Sequence, residues 1–183
     1  MIRLLTVTCL AVASFLASPA LAFDPSGELL FVARGAQSAG ASYDADRLVG
    51  PTVNMSRRED GGWAGDLGGQ NIDLEVSDTR LSGANVDLHV DRSNDKTTVR
   101  GTYFGQRISL ELSPRTVSGR VGTCSLDLTR KRPGYYEGDL GCVARGAAMP
   151  AVAKATLKLA GDAATARPPM PQFALALISV LPG

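Results

Sequence analysis

Residues that usually carry chemistry are scarce in this chain of 183 residues, which contains one His and three Cys. The only His, His89, has the spacing of the polar residues around it. No Ser lies in a Gly-x-Ser-x-Gly sequence, so the pattern does not predict a Ser-His-Asp hydrolase. One His and two paired Cys do not supply the three or four ligands that zinc requires. We therefore expect a protein that is not an enzyme and has no cofactor or metal centre.

The chain also lacks, beyond its first residues, an apolar run near the roughly 20 residues that a transmembrane helix needs. No transmembrane helix is therefore predicted. An apolar run at 4–16 follows Arg3 and precedes Ala20-Leu21-Ala22. This order is typical of a secretory signal peptide, here cleaved after Ala22. We expect the mature protein to be secreted or periplasmic.

Acidic and basic residues are nearly balanced in number. Residues 1–22 hold one of the 19 Lys and Arg and none of the 18 Asp and Glu, so the cleaved chain would carry 18 of each. A net charge of zero creates no long-range field that attracts nucleic acid. We therefore expect no nucleic-acid partner.

What the chain does contain is a copy of itself. Residues 65–83 align with 101–119 at an offset of 36, with nine of nineteen residues identical, and 54–67 align with 127–140 at an offset of 73. A period of this size indicates a supersecondary unit that buries its apolar face against its neighbours. Gly65, Gly101 and Gly138 recur at one place in the unit, and Gly inside a strand marks a bend, a bulge or a close backbone approach.

Between 53 and 143 apolar and polar residues alternate, as in Ile72, Leu74 and Val76. This period of two predicts β-strands with one buried face. The pattern predicts roughly nine strands, near 53–58, 62–67, 70–77, 80–90 with a break near Gly83, 97–104, 106–113, 115–121, 123–131 and 135–143. Such spacing favours a mainly all-β fold, a repetitive antiparallel meander closed as a barrel or sandwich, with short helical or irregular terminal segments.

The polarity of this alternation allows two orientations. The apolar face forms a core, or it faces lipid in an outer-membrane barrel. Aromatic residues make up only 5% of the chain, too few for the girdles of a membrane barrel. We therefore expect the apolar face to point inward.

Two cysteines remain after signal cleavage, Cys124 and Cys142, and we expect them to form a disulfide in an oxidising compartment. A hairpin centred on Pro133 places them directly opposite each other. Both also share the spacing of the apolar residues in their strands. The predicted bridge therefore joins two neighbouring strands on their apolar face.

Two groups of polar residues are candidate sites. Glu75 and Glu111 occupy one repeat position and would resemble a glycosidase pair if they converged. Asp91, Asn94 and Asp95 form a turn with oxygen ligands for calcium, but without the EF-hand spacing. We favour solvated side chains for the carboxylate pair and turn chemistry for the Asp and Asn cluster.

A further candidate is a binding rim formed by Arg57, Arg92 and Arg130, which close successive copies of one strand. Such a rim would hold anionic polysaccharide or lipid headgroups if the three strands are neighbours. The simpler interpretation is that these charges keep hairpin ends solvated.

The predicted organisation is a signal peptide at 1–22, an irregular segment at 23–50, a repetitive β-domain at 51–146, and an Ala/Pro-rich segment at 147–183 that packs on the β-domain. We expect a non-catalytic structural or interaction protein of the cell envelope, whose partner is an unknown envelope component. Two alternatives stay open. One is a carrier with a small apolar ligand inside a barrel lined by Trp63, Tyr103 and Tyr136, and the other is a glycan-acting hydrolase that uses Glu75 and Glu111.

Overall fold

The structure is a computed structural model that describes residues 23–34, 38–144, 149–165 and 171–182. The predicted signal peptide at 1–22 lies outside the described residues. Within them, fourteen strands each pair antiparallel with the next, and β1 pairs with β14 to close a barrel. The predicted all-β fold is confirmed, and the barrel is the arrangement present.

The strands are β1 (Gly27–Ala33), β2 (Ala39–Tyr43), β3 (Arg47–Gly50), β4 (Val53–Arg57), β5 (Trp63–Leu67), β6 (Gln70–Ser77), β7 (Arg80–Gly83), β8 (Val86–Ser93), β9 (Lys96–Tyr103), β10 (Gln106–Leu112), β11 (Thr116–Val121), β12 (Cys124–Arg132), β13 (Tyr135–Cys142) and β14 (Ala151–Gly161). A 3₁₀ turn at Asp162–Ala164 and one helix, α1 (Gln172–Val180), follow β14. The described part of the chain contains no candidate membrane-spanning helix.

The alternation between 53 and 143 predicted the central strands within a few residues of their observed ends. The predicted strand at 80–90 is two strands, β7 and β8, which pair through a turn at Ala84 and Asn85. Asn85 has φ 65°, a left-handed conformation that Asn tolerates in tight hairpin turns. The predicted break near Gly83 is therefore a hairpin.

The barrel extends beyond the predicted limits of the β-domain. Residues 23–50, predicted to be irregular, contain β1, β2 and β3, and the C-terminal segment supplies β14. In β1 the outward positions Leu30 and Val32 are as apolar as the inward positions Leu29 and Phe31, which conceals the period of two. In β14 a run of Ala has the same effect.

Inward and outward side chains differ sharply in polarity. Ile72 and Leu74 of β6 point inward and are buried, whereas Asp73 and Glu75 between and beside them are exposed. No polar or charged residue within the described part of the chain is classed as buried. The core therefore fills the barrel and the charges lie outside it, opposite to the lipid-facing alternative.

The sequence repeat corresponds to four strands. Gly65, Gly101 and Gly138 lie in β5, β9 and β13, one in every fourth strand. A Cβ at each of them would lie against a carbonyl oxygen of the preceding strand, at Asn54, Asp87 and Asp127 respectively. The glycines thus allow a close approach between strands, as their recurrence predicts.

The disulfide between Cys124 and Cys142 is present, and the two residues face each other across β12 and β13. Near the turn the pairing changes from Arg130↔Tyr136 to Arg132↔Tyr135, which marks a bulge. The predicted register is therefore confirmed from the disulfide up to that bulge.

Candidate functional site

The C-terminal helix α1 is the feature that decides what the barrel can hold. Its sequence, QFALALISV, contains no charged residue, and every position from Phe173 to Ile178 is at most 2% exposed. A helix on a protein surface keeps a polar face, whereas a helix that is apolar on all sides is buried on all sides. The barrel must therefore surround α1.

Contacts at the two ends of α1 show its direction. We name the barrel end at turns 94–95, 113–115 and 133–134 the lower end, and the end at turns 51–52, 68–69 and 104–105 the upper end. Phe173 lies beside Ser113 and Tyr136 at the lower end. Ser179 lies beside Phe104 at the upper end, where its carbonyl accepts a hydrogen bond of 3.1 Å from Thr52 Oγ1. The helix therefore runs through the lumen from one end to the other.

The dimensions of helix and barrel agree with this placement. Nine helical residues extend about 13.5 Å, and the seven residues of β10, tilted as barrel strands are, extend a similar distance along the axis. An eight-stranded barrel is filled by its own side chains, but fourteen strands enclose more space. The helix fills that space.

The helix does not lie on the barrel axis. Its backbone comes closest to β1, β2 and β3, where Ala33 and Ala41 present small side chains to the interior. Larger residues such as Leu110 and Leu128 fill the interior along other strands. The C-terminal segment, predicted to pack on the β-domain, instead contributes β14 to the wall and α1 to the lumen.

The aromatic residues predicted to line a ligand cavity are part of this packing. Trp63 is 2% exposed and Tyr136 is 8% exposed. Burial raises the pKa of Tyr103 to about 12. Burial and then the charge of Asp162 raise the pKa of Tyr43. Burial also raises the pKa of Tyr136, although Arg130 opposes the shift. These rings are held in an apolar environment.

A cleft of about 40 Å³ lies at the lower end between Phe173, Leu112 and Tyr136, with Asp95 and Ser113 at its mouth. Pockets for small molecules typically have volumes of about 300–1,000 Å³. This cleft is far too small for the apolar ligand of a carrier.

A larger groove of about 290 Å³ opens at the upper end over the last turn of α1. Tyr103 and Phe104 form one side of it, with their rings edge to face at 4.9 Å. Phe104 has φ 47°, a left-handed conformation that is costly for a bulky residue. The equivalent residue in the preceding repeat is Gly68, so this strained aromatic is particular to the groove.

The candidate carboxylate pair does not converge. Glu75 lies on β6 and Glu111 on β10, four strands or about 19 Å apart along the wall. The carboxylates of glycosidases are about 5–9.5 Å apart. Glu111 instead forms an ion pair of 2.5 Å with Lys96, and Glu75 borders an open groove on the outer wall.

The candidate arginine rim is also dispersed. The three arginines lie at or near the lower ends of β4, β8 and β12, again four strands apart, because equivalent residues of a four-strand repeat are distributed around the barrel: Arg57, Arg92 and Arg130. Arg57 lies 3.9 Å from Asp46, and Arg130 donates a hydrogen bond to the carbonyl of Pro114. The strands are not neighbours, so the three side chains do not form one basic patch.

The remaining polar candidates are explained by local structure. Asn94 has φ 52° in the two-residue turn between β8 and β9, a role that Asn fills well in hairpins. His89 is exposed on the outer wall, 3.8 Å from Asp87. Within the described residues, no three His, Cys, Asp or Glu side chains are grouped closely enough to hold a metal ion.

Sequence reasoning missed the position of α1, although the signal was present. Phe173 to Leu181 contains Ser179 as its only polar residue, so the segment has no face suited to water.

No protein-family model matches the chain, and neither a curated protein nor a solved structure matches it.

Proposed function

We propose that this protein is a non-catalytic structural or interaction protein of the cell envelope, which works through the outer wall of a filled barrel. The observation that supports the proposal is the position of α1 along the lumen, where carriers hold their ligands. An interacting molecule would then contact the polar wall or the barrel ends.

The energy of helix burial supports a permanent role for α1 in the core. Six larger apolar side chains are involved: Phe173, Leu175, Leu177, Ile178, Val180 and Leu181. At roughly 2 kcal/mol for each buried side chain, their burial contributes about 12 kcal/mol. Whole domains are stable by only about 5–15 kcal/mol. Withdrawal of α1 to admit a ligand would therefore cost about as much as unfolding.

The disulfide fits an extracellular or periplasmic protein, because disulfides persist in oxidising compartments. We propose secretion through the N-terminal segment and a location in the periplasm or outside the cell. The sequence at 1–22 supports this proposal through its apolar run and the Ala-Leu-Ala ending.

Photo-crosslinking in the native host tests the interaction role. A photoreactive residue is placed singly at exposed positions on four separate strands: Asn54, Glu75, Ser109 and Glu137. We expect light-dependent adducts from one part of the wall and not from the opposite part, with unirradiated cells as the control. If none of the four positions gives an adduct, an interaction through the outer wall is contradicted.

The groove at the upper end favours a second candidate function, binding of a small apolar ligand outside the lumen. Tyr103 and Phe104 supply aromatic surface, and strained residues such as Phe104 occur at ligand sites. Saturation-transfer NMR with small aromatic compounds tests it. Binding by the wild type that is lost in Phe104→Gly supports this candidate, and no transfer to the wild type contradicts it.

A further inference from the structure

Three arginines on neighbouring strands lie together on the outer wall. Arg100 of β9, Arg107 of β10 and Arg120 of β11 are all exposed. Each is flanked by a buried residue, respectively Val99, Ile108 and Val121, so the arginine side chains point away from the core. We name Arg100, Arg107 and Arg120 the arginine patch.

The strand register fixes the geometry of the patch. Ser109 of β10 pairs with Arg100 on one side and with Arg120 on the other. Arg107 lies two residues from Ser109 on the same strand and face. Directly paired residues are about 5 Å apart and diagonal ones about 7–8 Å. The three arginines therefore surround the Ser109 hydroxyl, close enough for their long side chains to converge on one group.

The carboxylates near the patch do not form ion pairs with its arginines. Asp87, diagonal to Arg100, accepts a hydrogen bond of 2.9 Å from Arg80. Glu111, diagonal to both Arg100 and Arg120, is paired with Lys96. Within the described residues, no side chain of the patch forms a hydrogen bond or an ion pair. Two further carboxylates lie beside the patch: Asp91 of β8 is diagonal to Arg100, and Asp127 of β12 is diagonal to Arg120.

This concentration of positive charge is notable in a chain whose formal net charge is only +1. Three like charges at these separations repel each other, and an anion between them relieves that repulsion. Guanidinium groups bind phosphate through two parallel hydrogen bonds, and a hydroxyl adds a further donor. We propose that the arginine patch binds a phosphate group, with Ser109 as an additional hydrogen-bond donor.

The phosphate group has two chemically equivalent sources, a phospholipid headgroup and a soluble phosphate. Phosphate binding at the patch rests on the proposed function only in that each places the binding surface on the outer wall. Failure of one can be distinguished from failure of the other, because a ligand found in the lumen would overturn the proposed function without changing the charge of the patch.

The test measures phosphate binding in solution and binding to membranes. Inorganic phosphate is titrated into the full chain while the Nε–H signals of arginine are followed by NMR, with chloride at equal ionic strength as the control. In parallel, the chain is sedimented with vesicles of phosphatidylcholine alone or mixed with phosphatidylglycerol. The patch variant is R100Q/R107Q/R120Q, and its matched control, R57Q/R92Q/R130Q, changes the net charge equally.

We expect phosphate to shift the signals of the patch and single replacement of Arg107 by Gln to weaken binding about threefold to tenfold. Asp127→Asn should strengthen binding, and higher salt should weaken it. If the patch variant loses binding to vesicles that contain phosphatidylglycerol and the control variant keeps it, the patch is a headgroup site. Phosphate binding without vesicle binding identifies a soluble phosphate. No binding in either assay, or equal losses in the two triple variants, would overturn the proposal.

Discussion

A polar scan of α1 distinguishes a helix inside the lumen from a helix on a surface. Successive helical residues are rotated by about 100°, so Ala174, Leu175, Ala176 and Leu177 together sample the whole circumference. All four are at most 1% exposed. Each is to be replaced singly by Asn, a polar residue without charge. The account predicts that none of the four positions tolerates the change.

The expected magnitude follows from burial. An amide buried without a partner costs roughly 1–3 kcal/mol. At Leu175 and Leu177 the lost apolar burial adds about 2 kcal/mol, and at the two alanines overpacking adds about 1–3 kcal/mol. Every variant should therefore lose at least about 2 kcal/mol of unfolding free energy. Leu30→Asn, at an outward position that is 36% exposed, is the control and should change stability by less than about 0.5 kcal/mol.

Urea unfolding followed by tryptophan fluorescence measures these losses, because the chain has one Trp, Trp63, and it is buried in the core. If one of the four positions accepts Asn with a loss below about 0.5 kcal/mol, α1 has a face in contact with water. That result would refute its placement in the lumen.

Three further predictions concern the wall and its aromatic residues. Gly101→Ala should destabilise the fold by at least about 2 kcal/mol, because Gly101 has φ 146° and a Cβ there would meet a carbonyl oxygen. The control Gly141→Ala should cost less than about 1 kcal/mol, since the nearest atom to its Cβ would be 3.4 Å away. Equal urea midpoints for the two variants would contradict this prediction. Replacing Cys124 and Cys142 by Ala should cost about 3 kcal/mol in the chain-entropy model for a sequence separation of 18, and reducing agent should destabilise only the wild type. Burial raises the pKa of Tyr103 to about 12, so the stability that this hydroxyl contributes is present below about pH 10 and is lost as pH rises toward 12. The phenolate absorbance that wild type shows in excess of Tyr103→Phe should therefore appear together with a change in tryptophan fluorescence, and its appearance near pH 10 without that change would contradict the prediction.

The sequence predicted the central strands because each shows one dry and one wet face. Ile72, Leu74 and Val76 alternate with polar residues, and this period survives in the structure as inward and outward positions. The disulfide was predictable for a related reason, since the symmetry of one hairpin places Cys124 opposite Cys142.

The edges of the β-domain were not predictable from the same signal. In β1 both faces are apolar, because Leu30 and Val32 lie outside while Leu29 and Phe31 lie inside. Periodicity vanishes when both faces carry similar residues, and tertiary pairing with β2 and β14 then determines the strand.

The spatial separation of the candidate residues was not predictable, because equivalent positions in a repeat need not lie close together in the fold. Glu75 and Glu111 are equivalent in sequence, but the four-strand repeat separates them by about 19 Å along the wall. The arginine patch was missed because Arg100, Arg107 and Arg120 come together only through the pairing of β9, β10 and β11.

In this structure α1 lies in the lumen, where a carrier would hold its ligand. The most direct test is a native mass spectrum of protein isolated without denaturation from its own secretory pathway, compared with its denatured mass. The account predicts that the lumen contributes no additional mass, and that the chain is two hydrogens lighter than the dithiol form. A reproducible additional mass that is lost on denaturation, and that extraction identifies as an apolar molecule, would contradict the account.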